Sequence, residues 1–394
     1  MSRQFHERHF PVRPNLEQLR NQAKDLLHAI RAADASAITE LKKHHSRPVN
    51  PADVKLSDAQ LVLARSYGLP SWTRLVSACR MTDAIWRGDV ETVRRMVTRD
   101  PRLLHEAARG LPDSNWGPPM SYAANIGQDA IIEMLRGLIG ARPRPGCCMG
   151  PCETLNPDGL ALLFDLGVEF ADEHGDRLAP VALLLQTYSR WPEGKHRSLD
   201  LLASHGITLP NTPVMAVHRG RIDLLEAQLG RDPKLVTRTF SHEEIYPREL
   251  GCSPDHSLAL HGTPLAGTTL LHLCVDFDEI EIARWLIEHG ADVNAKAAID
   301  GDGFGGHTAL FGSVVSQAYR SGRQRDADFT RLLLDHGANP NIRASLRKRI
   351  RFVADDSMHE YHDVTPVSWG ERFHDQAWVN RAAMRLIAER GGHG

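Results

Sequence analysis

Several things this 394-residue chain lacks narrow its class before any motif is read. No stretch approaches the roughly eighteen uninterrupted apolar residues of a membrane span, and the opening MSRQFHERHF carries no apolar signal core. The expectation is a soluble, cytoplasmic protein with no membrane partner. Cysteine is scarce. Six residues, three of them crowded at Cys147, Cys148 and Cys152, do not make the disulfide framework of a secreted domain, and reduced thiols are expected. An excess of charge of either sign is also missing: the formal net charge is −2 and the pI is near 6.9, so nothing global draws the chain to nucleic acid or to an anionic surface.

With 42% hydrophobic residues the chain can still bury a core, and its length suits two or three globular domains or one extended array. The pattern decides for the array. Between Thr268 and Pro340 one motif occurs twice, as TTLLHLC then EIEIARWLIEHGADVN, and as HTALFGS then DFTRLLLDHGANPN. In each copy a Thr opens a short helix, a second helix carries a Leu/Ile stripe, and His-Gly-Ala leads to a final Asn. Other copies are weaker. DAIWRGDVETVRRMVTRDPRLL and VMAVHRGRIDLLEAQLGRDPKLV share a grammar in which Arg87-Gly88 and Arg99-Asp100-Pro101 recur, at one constant spacing, as Arg219-Gly220 and Arg231-Asp232-Pro233. VTPVSWGERFHDQAWVNRAAMRLIAERGG forms a last copy, and about eight repeats can be counted. Gly206, Gly290, Gly337 and Gly391 end second helices where a positive φ is needed, and Thr269, Thr308 and Thr365 are placed to cap first helices.

Residues 14–79 read differently. Asn15 with Gln18, Ser57 with Gln60, and Ser71 are helix starts, and Leu16, Leu19, Ala23, Leu26, Leu27 and Ile30 recur at helical spacing.

The Thr-x-Leu-His, Leu-Leu and Gly-Ala-Asp elements resemble the ankyrin repeat. With the leader NLEQLRNQAKDLLHA and DAQLVLARSYGLPSWTRL, and the late segments GFGGHTALF and RASLRKRIRFVADDSMHEYHDV, the chain is similar to a bacterial ankyrin-repeat-domain protein family. The resemblance implies an all-α ankyrin-repeat solenoid of about eight helix-pair repeats. Residues 1–80 would be a helical leader covering the apolar end of an array formed by 81–394. It implies no particular reaction, and no cofactor is expected.

Three long insertions depart from a plain array, near 238–267, 295–306 and 343–363. Because they fall at the same place in successive repeats, stacking is expected to set them side by side. They hold the chemistry-bearing residues. Gly301 to Gly306 spells GxGxxG but lacks the preceding strand and following helix of a dinucleotide site, so close-packed turns are the better reading. Cys147, Cys148 and Cys152 have no second Cys/His pair nearby to complete four metal ligands; a tight reduced loop is expected, with His174 as the one histidine to watch. His359 and His362 share a loop with two carboxylates, with His256, His261 and His307 on neighbouring insertions. If helical, the run through Arg347 and Arg351 would present both guanidinium groups on one face, with Asp355, Asp356 and Glu360 as internal partners.

Two functions follow. The first is an intracellular scaffold that binds a protein or peptide through its concave face and fingers. The second is a small-molecule or metal pocket, with catalysis left open, between the insertions. The residues singled out for binding are Asp300, Asp302, Phe304, His307, Arg347, Arg351, His359 and His362, with Asp300 or Asp302 as the base in the second reading.

Overall fold

The computed structural model describes residues 8, 10–111, 116–139, 146–254, 262–321, 326–350, 355 and 357–394. Two compact units are present, Met1–Pro151 with Asp158–Gly175, and Cys152–Pro157 with Asp176–Gly394. Arg351, His256, His261 and Asp356 lie outside the described residues.

In the first unit α1 (Leu16–Arg31) starts where Asn15 Oδ1 accepts from the amides of Glu17 and Gln18 at 2.9 and 3.0 Å. Its stripe of Leu19, Ala23, Leu26 and Ile30 is buried. α2 (Ala35–His44), α3 (Leu56–Ser66) and α4 (Trp72–Trp86) follow, and α1 to α4 share one core running from Phe10 to Cys79. The expected start of α3 at Ser57 is corrected: Asp58 takes up the free amide, accepting from Lys55 N at 2.7 Å, so the helix begins at Leu56. α4 pairs with α5 (Val90–Arg99), and α6 (Pro119–Asn125) with α7 (Asp129–Ile139). Stacking is like on like, α4 on α6 and α5 on α7. α8 (Met149–Thr154) and α9 (Pro157–Asp165) come next in the chain.

The second unit repeats the pairing: α10 (Ala179–Gln186) with α11 (Pro192–Ser204), α12 (Pro213–His218) with α13 (Ile222–Leu229), and α15 (Leu270–Phe277) with α16 (Ile280–Glu288). α14 (His242–Ile245) is a single turn inside the first insertion. α17 (Ala309–Val314) pairs with α19 (Asp328–Asp335), with the turn α18 (Gln317–Arg320) between, and α20 (Pro366–Arg372) pairs with α21 (Arg381–Glu389). First helices stack α12 on α15 on α17 on α20. Thr365 caps α20 by accepting from Ser368 N at 3.2 Å, whereas Thr269 works through the His272 ring. Thr308 differs from expectation, since its buried hydroxyl has no hydrogen-bond partner.

Successive repeats are clipped by the Asn that ends the motif. Asn294 donates to Gly337 O at 3.0 Å and accepts from Asn339 N at 2.7 Å; Asn341 likewise bonds Gly391 O and His393 N, both at 3.1 Å. The clipped carbonyls belong to glycines at φ +88° and +85°, the left-handed residues that end α19 and α21.

The insertions hydrogen-bond edge to edge. Ala298 N donates to Gly267 O at 2.8 Å, joining the first to the second, and Gly305 N donates to Ser345 O at 2.7 Å, joining the second to the third. The third insertion does not form the helix that would set Arg347 and Arg351 on one face. It is a hairpin of β1 (Ala344–Lys348) and β2 (His359–Val364), the one two-stranded sheet among the described residues. Alternation along β1 buries Leu346 and Lys348 and turns Arg347 outward.

Gly305 shows how tightly these fingers meet. Its φ is +131° and a Cβ there would lie 2.1 Å from Ala298 O, while Gly303, at φ +87°, faces open space. Gly305→Ala is expected to lower unfolding free energy by roughly 3 kcal/mol or more and Gly303→Ala by about 1 kcal/mol, read from urea denaturation midpoints. Equal costs would contradict the close packing.

Candidate functional site

The second and third fingers bring five of the singled-out residues together. Arg347 donates from Nη2 to Asp300 Oδ2 and from Nη1 to Asp302 Oδ2, each at 2.8 Å, so one guanidinium clamps two carboxylates. The turn holding them is set by Asp300 itself, whose Oδ1 accepts from the amides of Asp302 (3.0 Å) and Phe304 (2.9 Å). The Phe304 amide above all, with Arg347 adding to it, holds Asp300 below the usual carboxylate range. Phe304 lies beneath, with the Arg347 guanidinium carbon 5.0 Å from its ring centre and the His362 ring at 5.3 Å. Arg347 holds one oxygen of each carboxylate, and the Asp302 side chain stays 68% exposed.

His359 sits beside this group with other partners. Its Nε2 meets Asp355 Oδ2 at 2.8 Å and its ring stacks on His374 at 4.0 Å. Ser357, foremost, and then His359 hold Asp355 down to about 2. Behind, Tyr361 packs edge-on against Trp369 at 4.7 Å, seating β2 on the last repeat.

His307 does not join the surface cluster, because its ring is buried. Nε2 faces Pro264 O at 3.0 Å, Nδ1 has no partner, and the ring stands edge-on to His272 at 5.6 Å. His272 is buried too, with Nε2 on His307 O at 3.1 Å and Nδ1 on Thr269 Oγ1 at 2.9 Å. Both rings are neutral at pH 7: burial drives His272 down to about 4, and burial followed by the neighbouring His272 drives His307 to about 3. The cysteine loop is equally closed. Cys147, Cys148 and Cys152 are buried, Cys148 Sγ reaches Ala171 O at 3.3 Å, and burial pushes the thiols of Cys147 and Cys148 up to about 11 and 12. His174 lies out in solvent beside Glu173. Among the described residues no group of three His, Cys, Asp or Glu is placed to hold a metal ion.

A second constellation was missed in the sequence. Arg190 and Asp276, with side chains 2% and 3% exposed, pair at 2.8 Å, and Arg190 also reaches Asp276 O at 2.8 Å and Thr187 O at 2.7 Å. Lys195 Nζ lies 2.6 Å from His218 Nδ1 and 4.1 Å from the Phe277 ring centre, and Arg190 caps the same ring at 5.1 Å. Because His218 Nε2 faces Ile245 O, its Nδ1 is the acceptor and Lys195 the donor. Burial, then Arg190, brings Lys195 down to about 7; burial brings Lys348 to about 8 against the pull of Asp276. A signal was present: Lys195 lies on the helix face of Leu199 and Leu202, and Asp276 interrupts the apolar run LLHLCVDF.

Short helix pairs joined by fingers and stacked first helix on first helix define a helix-pair repeat protein. Residues 266–298 match the family model described as ankyrin repeat, so the chain carries an ankyrin repeat within an all-α fold of stacked helix pairs. Among solved structures, an ankyrin repeat domain from Acinetobacter baumannii is 18% identical, covering 71% of this chain and 100% of that one, with a TM-score of 0.24. That superposition is too loose to place any residue. No curated protein matches the chain. No helix among the described residues is long and apolar enough to cross a membrane.

Two outcomes follow from the buried groups. Asp276→Asn leaves Arg190 buried without its carboxylate and is expected to cost about 3–5 kcal/mol in chemical denaturation. As for pH, His272 and His307 have folded values below the unfolded value near 6.5, so below that pH the unfolded chain binds more protons. Stability is therefore flat above pH 6.5 with respect to these rings and falls as pH drops towards 4, by on the order of 3 kcal/mol per ring at about 1.4 kcal/mol per unit. Melting temperature measured from pH 7 to 4 should fall less steeply in His272→Gln than in wild type.

Proposed function

We propose that the chain is a recognition scaffold that holds a protein or peptide partner on its second and third fingers. Ankyrin repeats generally mediate protein–protein interaction, and one observation directs the reading to these fingers. Ile299 and Met358, at 66% and 53% exposure, are the most exposed large apolar side chains among the described residues. Each sits on one of the two fingers that the Gly305–Ser345 bond joins, the fingers also locked together by Arg347, Asp300 and Asp302. An apolar contact beside a preorganised charged fork suits a protein interface, in which aromatic, Met and Arg groups anchor and polar groups form the rim. In this reading residues 1–80 act as a helical cap, residues 81–394 as the array, and the protein works in the cytoplasm, where buried thiols stay reduced.

A photo-crosslinking residue placed at Ile299 should give a discrete partner adduct in cells. The same residue at the exposed Leu138 should not, and Met358→Asp should reduce the Ile299 adduct at least tenfold with the melting temperature unchanged. Adducts of equal yield at both positions would refute the assignment.

A further inference from the structure

The segment preceding α1 lies across the first unit in the manner of a bound peptide. Arg8 N donates to Ser66 O at 3.3 Å and its guanidinium pairs with Glu40 at 2.9 Å. Phe10 is then driven into the core, 2% exposed, with its ring 5.5 Å from that of Tyr67. Arg109 donates to Phe10 O, and Tyr122 Oη donates to Val12 O at 2.7 Å while accepting from Trp86 Nε1 at 2.7 Å. Arg13 finishes the contact, its guanidinium 5.4 Å from the Trp86 ring centre and bonded to Asp83 at 3.1 Å. Trp86 and Tyr122 belong to α4 and α6, the first helices of two stacked repeats.

Two kinds of contact are present. Arg109 and Tyr122 grip main-chain carbonyls, which every peptide offers, whereas Arg8, Phe10 and Arg13 make their contacts through side chains. The outer contact is exposed, with Arg13 and Asp83 side chains at 49% and 43%, so reversing the charge of Arg13 turns an attraction into a repulsion without disturbing the core. A segment attached directly to α1 competes for this face at a local concentration on the order of millimolar.

We propose that this face of the first unit is a binding site for an extended peptide of a partner protein, bearing an aromatic residue three positions before an arginine, and that Arg8 and residues 10–14 occupy it in its absence. The backbone grip supplies the general affinity, the pocket beside Tyr67 takes the aromatic ring, and Asp83 with Trp86 takes the guanidinium. This proposal does not rest on the fingers of the second unit and stands or falls independently of them.

The test uses the full chain and a fluorescein-labelled peptide RHFPVRPN, copied from residues 8–15 and followed by anisotropy. Wild type should bind it weakly, because the attached segment competes. Arg13→Glu loosens that segment at an exposed position and should tighten peptide binding at least tenfold; adding Asp83→Lys should abolish the gain, and a peptide with Ala in place of Phe should not bind. Phe10→Ala should behave like Arg13→Glu where circular dichroism shows it folded, and where it unfolds the Arg13→Glu result decides. A natively folded Arg13→Glu chain that binds no more tightly than wild type overturns the proposal. So does equal binding of the Phe-less peptide. Concentration-dependent dimers of Arg13→Glu in light scattering would overturn it in favour of segment exchange between copies.

Discussion

The structure rests on one constraint: helices such as Pro213–His218 and Ala309–Val314 are too short to bury an apolar face within their own pair. Stability must come from the neighbouring repeat. First helices therefore pack on first helices, and Asn294 and Asn341 fix the spacing by bonding both an amide and a carbonyl of the next repeat. Once the spacing is fixed, loops that leave each repeat at the same point must run alongside one another. Their backbones then satisfy each other, Ala298 with Gly267 and Gly305 with Ser345, and a surface arises from three segments that are remote in sequence.

Charges at the ends of the first helices obey the same geometry at greater cost. Asp276 sits in the last turn of α15, where stacking removes water, and would be untenable there without Arg190. Arg190 in turn needs Thr187 O, Asp276 O and the Phe277 face to replace its hydration. Lys195 donates to neutral His218, and burial, followed by the neighbouring Arg190, is what lowers its affinity for its proton so far. Such a network specifies one arrangement of α11, α12 and α15 more than it adds stability.

What could be read in the sequence follows from the range of each interaction. The Asn15 cap, the α1 stripe and the glycines ending second helices depend on residues within a turn or two, and all are visible as local spacing. The β1 strand was not, because RASLRKRI carries too many charges for an alternating strand, yet Lys348 is buried there. Charge marks Arg347 in the sequence, where Asp355, Asp356 and Glu360 are the nearby carboxylates, but finger stacking supplies Asp300 and Asp302 instead. His307 resembled a surface ligand because it ends an insertion. It is in fact the point at which the second finger returns to the core, its backbone bonded to Ala297 and its ring to Pro264 O.

The fingers and the segment before α1 apply one rule in two places. In both, main-chain groups are satisfied by fixed partners, which sets the path of the chain and leaves a few side chains to carry selectivity: Ile299 and Met358 on the fingers, Phe10 and Arg13 on the segment. The difference lies in burial. Ile299 and Met358 stay more than half exposed, so apolar surface remains there for a partner to cover. Phe10 has already been covered, and any partner at that face must displace a group that the protein supplies to itself. A repeat protein thus presents surfaces of opposite character from one construction, one open and one already filled, because stacking dictates where chain segments run but not which side chains they carry.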